Sequence, residues 1–407
     1  MKADRFGIPR QSWLLLLVGL IDSIGTGLFL AGSAIFFTRS AGLSPTEVGV
    51  GLTLGGLCAL LLLTPLGMLA DRIGPRAAGV LMHLWRAVAF AGFAFVHDFG
   101  TFLLVSCLVA PPTRAIEPIG QMFVDRHVGA GLRMRVMSAL RLAYNLGFTL
   151  GALLTTVILA VDTREAFLAI VLGDAVTFLF AGLLLLKVPL LEQTASARHT
   201  VTGWPKSLRQ GRYLIVAGLN GILMMHIPLL SIGVPLWATL YTDAPRLIVG
   251  PLIVVNTVMV LSLQMRFSRG TDTVDSGVRL MRWAAACLAA FSVIVAFAGH
   301  LNAFWASAVL LAGVVVITFG EIMQVTGGWL LSYELAPQQR QGEYLAVFSL
   351  GVAAMYLVGP TLITVGIIER GVTGWLVLAV VFAAVGLTIG PAVTAARRQI
   401  DAVPAGR

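Results

Sequence analysis

The chain has 407 residues, of which 58% are hydrophobic and only 12% charged, with a formal net charge of +9. A soluble globular domain carries about 25% charged residues, so the composition excludes an ordinary soluble enzyme and describes a chain facing lipid. The basic excess would suit a nucleic-acid binder, but its residues fall in alternate loops between apolar runs, a membrane-protein pattern, and no nucleic-acid partner is expected.

Most apolar runs reach the ~20 residues that cross a bilayer as a helix. Every backbone N–H and C=O in lipid needs an internal partner, which makes these runs α-helices; the alternating strands of a barrel are absent. In chain order, spans are expected at 12–38, 46–70, 76–96, 101–125, 134–160 and 165–188. After a polar segment, the second set is expected at 211–240, 246–267, 278–299, 302–330, 343–368 and 372–396. The first run continues too far for a signal sequence and reads as a retained span. The stretch Glu192–Gln210, rich in Ser, Thr, Arg and Gln, has the composition of a linker. The expected organisation is therefore a bundle over 1–188, a cytoplasmic linker over 189–210 and a second bundle over 211–407. The fold class is an all-α membrane protein, with twelve transmembrane helices in two six-helix bundles.

Orientation follows from the loops. The termini and the loops on their side carry most of the Lys and Arg, among them Arg72, Arg76, Arg126, Arg133, Arg135, Arg266, Arg269, Arg279 and Arg340, whereas the opposite loops hold Arg39, Arg164, Arg246 and Arg370. Both termini are thereby expected in the cytoplasm, with the protein multi-pass in the inner (plasma) membrane. Cys58, Cys107 and Cys287 sit inside apolar runs at spacings that suit neither a zinc site nor a disulfide framework, and read as buried, inert thiols. The pairs Gly51/Gly55 and Gly147/Gly151 permit close helix contact.

Ionisable residues inside spans are costly, about 2.5–3.5 kcal/mol or more at the centre. The acids expected to be buried are Asp22, Glu117, Asp174 and Glu321; the arginines are Arg86, Arg114 and Arg141. Asp22 reads as a lone carboxylate near the midplane, followed by Gly25 and Gly27 where a helix or ligand approaches, and is the candidate proton carrier; the plainer reading is a structural hydrogen bond. Arg114 and Glu117 share one face of span 4 at i,i+3, beside Pro111, Pro112 and Pro118, as a coupled pair or a permanent one. Asp174 is expected to partner Arg86 or Arg141. Glu321 is placed towards the inner gate, and His226, which titrates in a useful range, is either a cavity group or a packing residue. Met224, Met225, Tyr144, Asn145, Asn220 and Asn256 would suit a cavity for varied amphipathic molecules. No P-loop, H-E-x-x-H or G-x-S-x-G motif occurs, so neither ATP binding nor an enzyme has a constellation to stand on, and no cofactor or metal is expected.

Between spans 2 and 3 the chain reads Gly67-Met68-Leu69-Ala70-Asp71-Arg72-Ile73-Gly74-Pro75-Arg76. This turn resembles the G-x-x-x-D-[RK]-x-G-x-[RK]-[RK] signature of the major facilitator superfamily, matching at Gly67, Asp71, Arg72, Gly74 and Arg76, with Ala77 in the last basic position. The resemblance implies contact of the turn with the start of span 11 and the end of span 4, through Asp71, Arg72 or Arg76, and Asp125. Arg114 resembles the span-4 arginine of proton-coupled members. Span 5 departs from the antiporter pattern, since Ala152 follows Gly151 where proline is usual; Gly359-Pro360 occurs in span 11. The chain looks similar to the twelve-span bacterial drug:proton antiporters. That implies alternating access around a cavity lined by spans 1, 4, 7 and 10, with a small molecule and protons as the transported partners and a monomer as the functional unit. The alternatives are uptake of a nutrient or peptide by the same fold, and a transport-inactive sensor or assembly partner.

Overall fold

Long apolar runs punctuated by short polar turns fold as expected into helices. The computed structural model describes residues 12–35, 37, 43–128, 130–159, 163–188, 205, 207–245, 248–267 and 273–401, and among them no strand is present. In the first half the spans are Trp13–Ile35, Pro45–Ile73, Pro75–Gly92, Phe99–Val128, Ala130–Leu159 and Arg164–Leu185 (spans 1–6). In the second half span 7 begins at Gly211 and ends at Leu240, followed by Val249–Phe267, Val274–Ala296, Ala303–Glu334, Gln341–Ile363 and Gly371–Asp401 (spans 8–12). Eleven helices among the described residues are long and apolar enough to cross a membrane. Span 1 adds a twelfth apolar helix of 23 residues. Most of the 189–210 segment lies outside the described residues.

Polar residues set the helix ends. Ser44 and Glu47 form a reciprocal capping box at the start of span 2, with the Ser44 N–H donating to Glu47 Oε2 at 2.8 Å. Asp98 accepts the Thr101 N–H at 2.9 Å and opens span 4, and Asn302 caps span 10 through the Trp305 N–H. Gly74 lets span 2 turn directly into span 3. Its φ of 86° lies in the left-handed region, and Pro75 starts the next helix without a wasted N–H.

The chain divides into two compact units. The first comprises 1–205 with 338–346, and the second 206–337 with 347–407. Lipid tails are as apolar as leucine, so helices associate here through shape and dispersion rather than hydrophobic exclusion. In the first unit a phenylalanine cluster fills the contact between spans 1, 3, 4 and 6. Phe29 stacks on Phe93 at 5.5 Å and meets Phe90 edge-on at 4.9 Å; Phe90 meets Phe178 at 5.0 Å. Spans 1 and 5 approach backbone to backbone. Gly147 lies against Leu20 and Ser23, Gly151 against Ile24 and Leu28, and Gly27 against Phe148, while Gly51 and Gly55 of span 2 receive Phe102 and Ser106 of span 4. A Cβ at Gly151 would collide with main chain, which cannot yield as a side-chain tip can. Gly151→Ala is therefore expected to destabilise the protein by about 1–3 kcal/mol. Gly218→Ala, where a Cβ meets nothing within 4 Å, should not destabilise it; thermal unfolding of both purified variants checks the contrast.

The second unit is built around Trp237, whose Nε1 donates to the Val295 carbonyl at 2.9 Å and whose ring meets Trp375 edge-on. Gly221 of span 7 lies against Gly351 of span 11. Span 7 is not the continuous helix the sequence predicts. An α-helix ends at Leu223, a turn at Met224–Met225 leads into His226–Pro228, a π-turn follows over Leu229–Gly233, and α-helix resumes over Val234–Leu240. Pro228 and Pro235 lack the N–H that the helical ladder requires, so the ladder shifts register around them. A second π-turn, Thr364–Ile368, follows Pro360 in span 11.

Candidate functional site

Three groups of the sequence-predicted residues acquire definite surroundings. The first is the turn after span 2. Asp71 accepts the N–H groups of Gly342 at 2.7 Å and Glu343 at 2.9 Å, the first turn of span 11. A carboxylate at a helix N-terminus meets both orphan donors and the positive end of the helix dipole. Gly67 and Gly342 each face the other's carbonyl oxygen, so a Cβ on either would strike backbone. Asp125 accepts from Arg133 at 3.2 Å and from Gln341 Nε2 at 2.9 Å, while Arg76 donates to the Val188 carbonyl. The implied partner set is thus rearranged: Arg133 and Gln341 hold Asp125, and Arg76 ties the turn to the end of span 6. Arg72 is exposed.

The second group lies inside the first unit. Asp22 is not the lone carboxylate expected. Arg86 of span 3 donates to its Oδ1 at 2.5 Å, and His83 Nδ1 lies 3.6 Å away. Arg86 is buried with its guanidinium 3.6 Å above the Phe178 ring. Asp174, expected to pair with Arg86 or Arg141, is fully buried and neither carboxylate oxygen has a hydrogen-bond partner. Arg114 and Glu117 lie within span 4 with part of their side chains at its surface, and Glu117 is desolvated there and feels the charges of Arg114 and the half-buried Arg141. Asn145 is half-buried. The cysteines are half-buried rather than buried, and the Cys58 and Cys107 thiols interact across spans 2 and 4.

The third group lies inside the second unit, around the break in span 7. A cavity of about 280 Å³ is lined by spans 7, 8 and 10. Its walls are mostly aliphatic, including Leu230, Val234, Leu252 and Ile253, and its polar groups are His226, Ser231, Asn256 and Glu321. Glu321 accepts from Asn256 Nδ2 at 2.8 Å, and Asn256 also bonds Thr318 at 3.0 Å. Behind the cavity wall runs a buried polar chain: His226 Nε2 lies 3.2 Å from Gln324 Oε1, and Gln324 Nε2 donates to Asn220 Oδ1 at 2.9 Å. Glu321, a candidate cavity residue that its position along span 10 also placed towards the inner gate, lines the cavity. Sequence reasoning missed Gln324, His83, Arg133 and Gln341. Gln324 was findable at i+3 from Glu321 on one helix face, and Arg133 by its position eight residues after Asp125, across the turn from span 4 to span 5; His83 and Gln341 have partners far away in sequence. Among the described residues no group of three or more His, Cys, Asp or Glu converges as a metal site would need.

The model of the Major Facilitator Superfamily matches residues 15–360. An MFS-type transporter of Escherichia coli (strain K12), the uncharacterised YdeE, is 22% identical over 349 residues, covering 84% of this chain and 86% of that protein. A crystal structure of a bacterial homologue of the iron transporter ferroportin in the outward-facing state superposes with a TM-score of 0.69 at 14% identity, over 96% of this chain and all of that one. The human organic anion transporter MFSD10 (TETRAN) superposes with a TM-score of 0.60 at 15% identity, again over 96% of this chain and all of that one. At such identities the two solved structures speak for the fold alone, while the family match spans most of the chain and agrees with the Asp71 turn. The chain belongs to the Major Facilitator Superfamily and is a multi-pass membrane transporter of that family.

Proposed function

We propose that this chain is a proton-coupled secondary transporter that exports a small amphipathic molecule by alternating access, as a monomer in the inner membrane with both termini cytoplasmic. The observation that carries the substrate class is the cavity beside the broken span 7. Its aliphatic walls offer room for an apolar body, and Glu321, oriented by Asn256, offers one acceptor for a cationic or hydrogen-bond-donating head. A π-turn at the cavity wall is the kind of helix defect that gathers at functional sites. The bundles over 1–188 and 211–407, joined by 189–210, are the moving bodies on this reading, and Asp71 at the start of span 11 is the contact that makes and breaks. Arg114 and Glu117, exposed on span 4, stand as a charge pair available to the coupling cycle.

The test uses everted membrane vesicles with an entrapped pH-sensitive dye, challenged with cationic, neutral and anionic amphipaths. Cationic compounds should collapse the imposed proton gradient in vesicles containing the protein. Glu321→Gln should weaken the response to cations about 10-fold or more, the order expected for losing a charged hydrogen-bond partner, with smaller effects on neutral compounds. Folded protein that gives no response to any compound removes the export reading.

A further inference from the structure

Near the middle of the first unit, spans 1, 3 and 6 bring together two carboxylates and one permanent cation. Asp22 lies ten residues into its helix, Arg86 twelve and Asp174 eleven. Each helix rises about 1.5 Å per residue, so all three sit deep in the membrane. Gly25 lies one turn after Asp22, and its missing side chain is the space that Asp174 Oδ1 and Thr177 Oγ1 occupy.

Asp22 and Asp174 together carry two negative charges when ionised, and Arg86 supplies one positive charge. Arg86 is committed to Asp22 at 2.5 Å. Thr177, which touches the Asp174 carboxylate, directs its hydroxyl proton to the Asp174 main-chain carbonyl at 2.7 Å. Arg86 and Asp22 are the charges acting on Asp174. His83 stands beyond Asp22, with its Nδ1 making no hydrogen bond. Among the described residues span 5 brings no charge to the group. With Arg86 engaged by Asp22 and no hydrogen bond made to either Asp174 oxygen, a charge on Asp174 would be buried without a partner of its own, which is costly.

We propose that Asp22, Arg86 and Asp174 form a one-proton site, with the proton held on Asp174 while Arg86 is engaged with Asp22. The two acids share one cation, so the carboxylate that Arg86 leaves takes the proton. When Arg86 turns towards Asp174, the O–H bond on Asp174 breaks and an O–H bond on Asp22 forms, with charge unchanged. Asp174 is fully buried, whereas the Asp22 side chain retains 14% exposure; Asp22 is therefore the port through which the proton exchanges with water. The use of this site in transport rests on the proton-coupled reading, but its occupancy does not.

Infrared spectroscopy of the purified full-length protein in lipid nanodiscs, in H₂O and D₂O at neutral pH, reads the proton directly. A carboxylic-acid C=O band that shifts on deuteration should be present and should be lost in Asp174→Asn. It should also be lost in Asp22→Asn, because Asp174 then has Arg86 to itself and ionises. The band should survive in Glu369→Gln, an exposed acid outside the cluster, and its area should about double in Arg86→Met. A band unchanged in both Asp174→Asn and Asp22→Asn, from protein with wild-type thermal stability, overturns the proposal. Gradient-driven flux in proteoliposomes forms the second arm. With a Km-saturating cationic amphipath, Asp174→Asn should keep downhill flux and lose its dependence on the proton gradient. Loss of the infrared band with the gradient dependence of flux intact overturns the transport role and leaves the proton site standing.

Discussion

Replacing Arg86 with methionine is expected to be the most destabilising single change in the first unit. Methionine preserves much of the volume and the contact with Phe178, so the loss is electrostatic. Among the described residues it removes the one arginine that donates to Asp22 and leaves two carboxyl groups in a buried cluster with His83. Breaking a buried pair by deleting one partner costs about 3–5 kcal/mol, here the cost of taking up a proton on Asp22 at neutral pH in place of its lost cation. Thermal unfolding of the variant in nanodiscs at neutral pH should show a loss of this order, and the loss should shrink in acid, where both carboxyls are neutral and need no cation. Arg86→Met combined with Asp22→Asn should recover part of the stability, since the second change removes the carboxyl that the first one left without its cation. An Arg86→Met protein as stable as wild type at neutral pH would show that Arg86 is not what compensates Asp22.

The spans were legible because the bilayer imposes a length and a polarity that composition reports directly. The Asp71 turn was legible because its chemistry is local: a charged residue and two glycines at fixed offsets between helices. Asp22 was misread for the opposite reason. Its partner is 64 residues away, and nothing on span 1 says which face meets span 3. Arg86 was visible as a buried cation and Asp174 as a buried acid, but residue type alone left Arg86 and Arg141 open as partners of Asp174 and did not show that Arg86 bonds Asp22. The glycines after Asp22 were correctly read as places of close approach; that one admits Asp174 and the other the backbone of span 5 emerges only when helix rotation is known. The cavity was illegible for a related reason. It exists because Pro228 and Pro235 break span 7 beside spans 8 and 10, and the length of an apolar run carries no trace of a π-turn inside it. Glu321 was therefore placed by its position along span 10 rather than by the face it shares with Gln324.

The largest effect on flux is expected at Asp71. Asp71→Asn keeps one oxygen, but its amide nitrogen is a donor, so one of the N–H groups of Gly342 and Glu343 now faces another donor. Each hydrogen bond to a charged group contributes about 1.5–3 kcal/mol, and the variant forfeits the charge as well as one bond. On the alternating-access reading this energy belongs to only one of two states. A shift of about 1.4 kcal/mol changes their ratio tenfold, so flux in proteoliposomes should fall about 10- to 100-fold. The global fold should tolerate the change, because each unit retains its own core, and the melting temperature should move little. Gly67→Val should give the same phenotype by another route, since its Cβ strikes the Gly342 carbonyl and separates the helices that Asp71 joins. Gly49→Ala, whose Cβ meets nothing within 4 Å on the same helix, should transport normally. Wild-type flux in both Asp71→Asn and Gly67→Val would mean that the first turn of span 11 is held by its own contacts, and that the carboxylate is not the latch of the cycle.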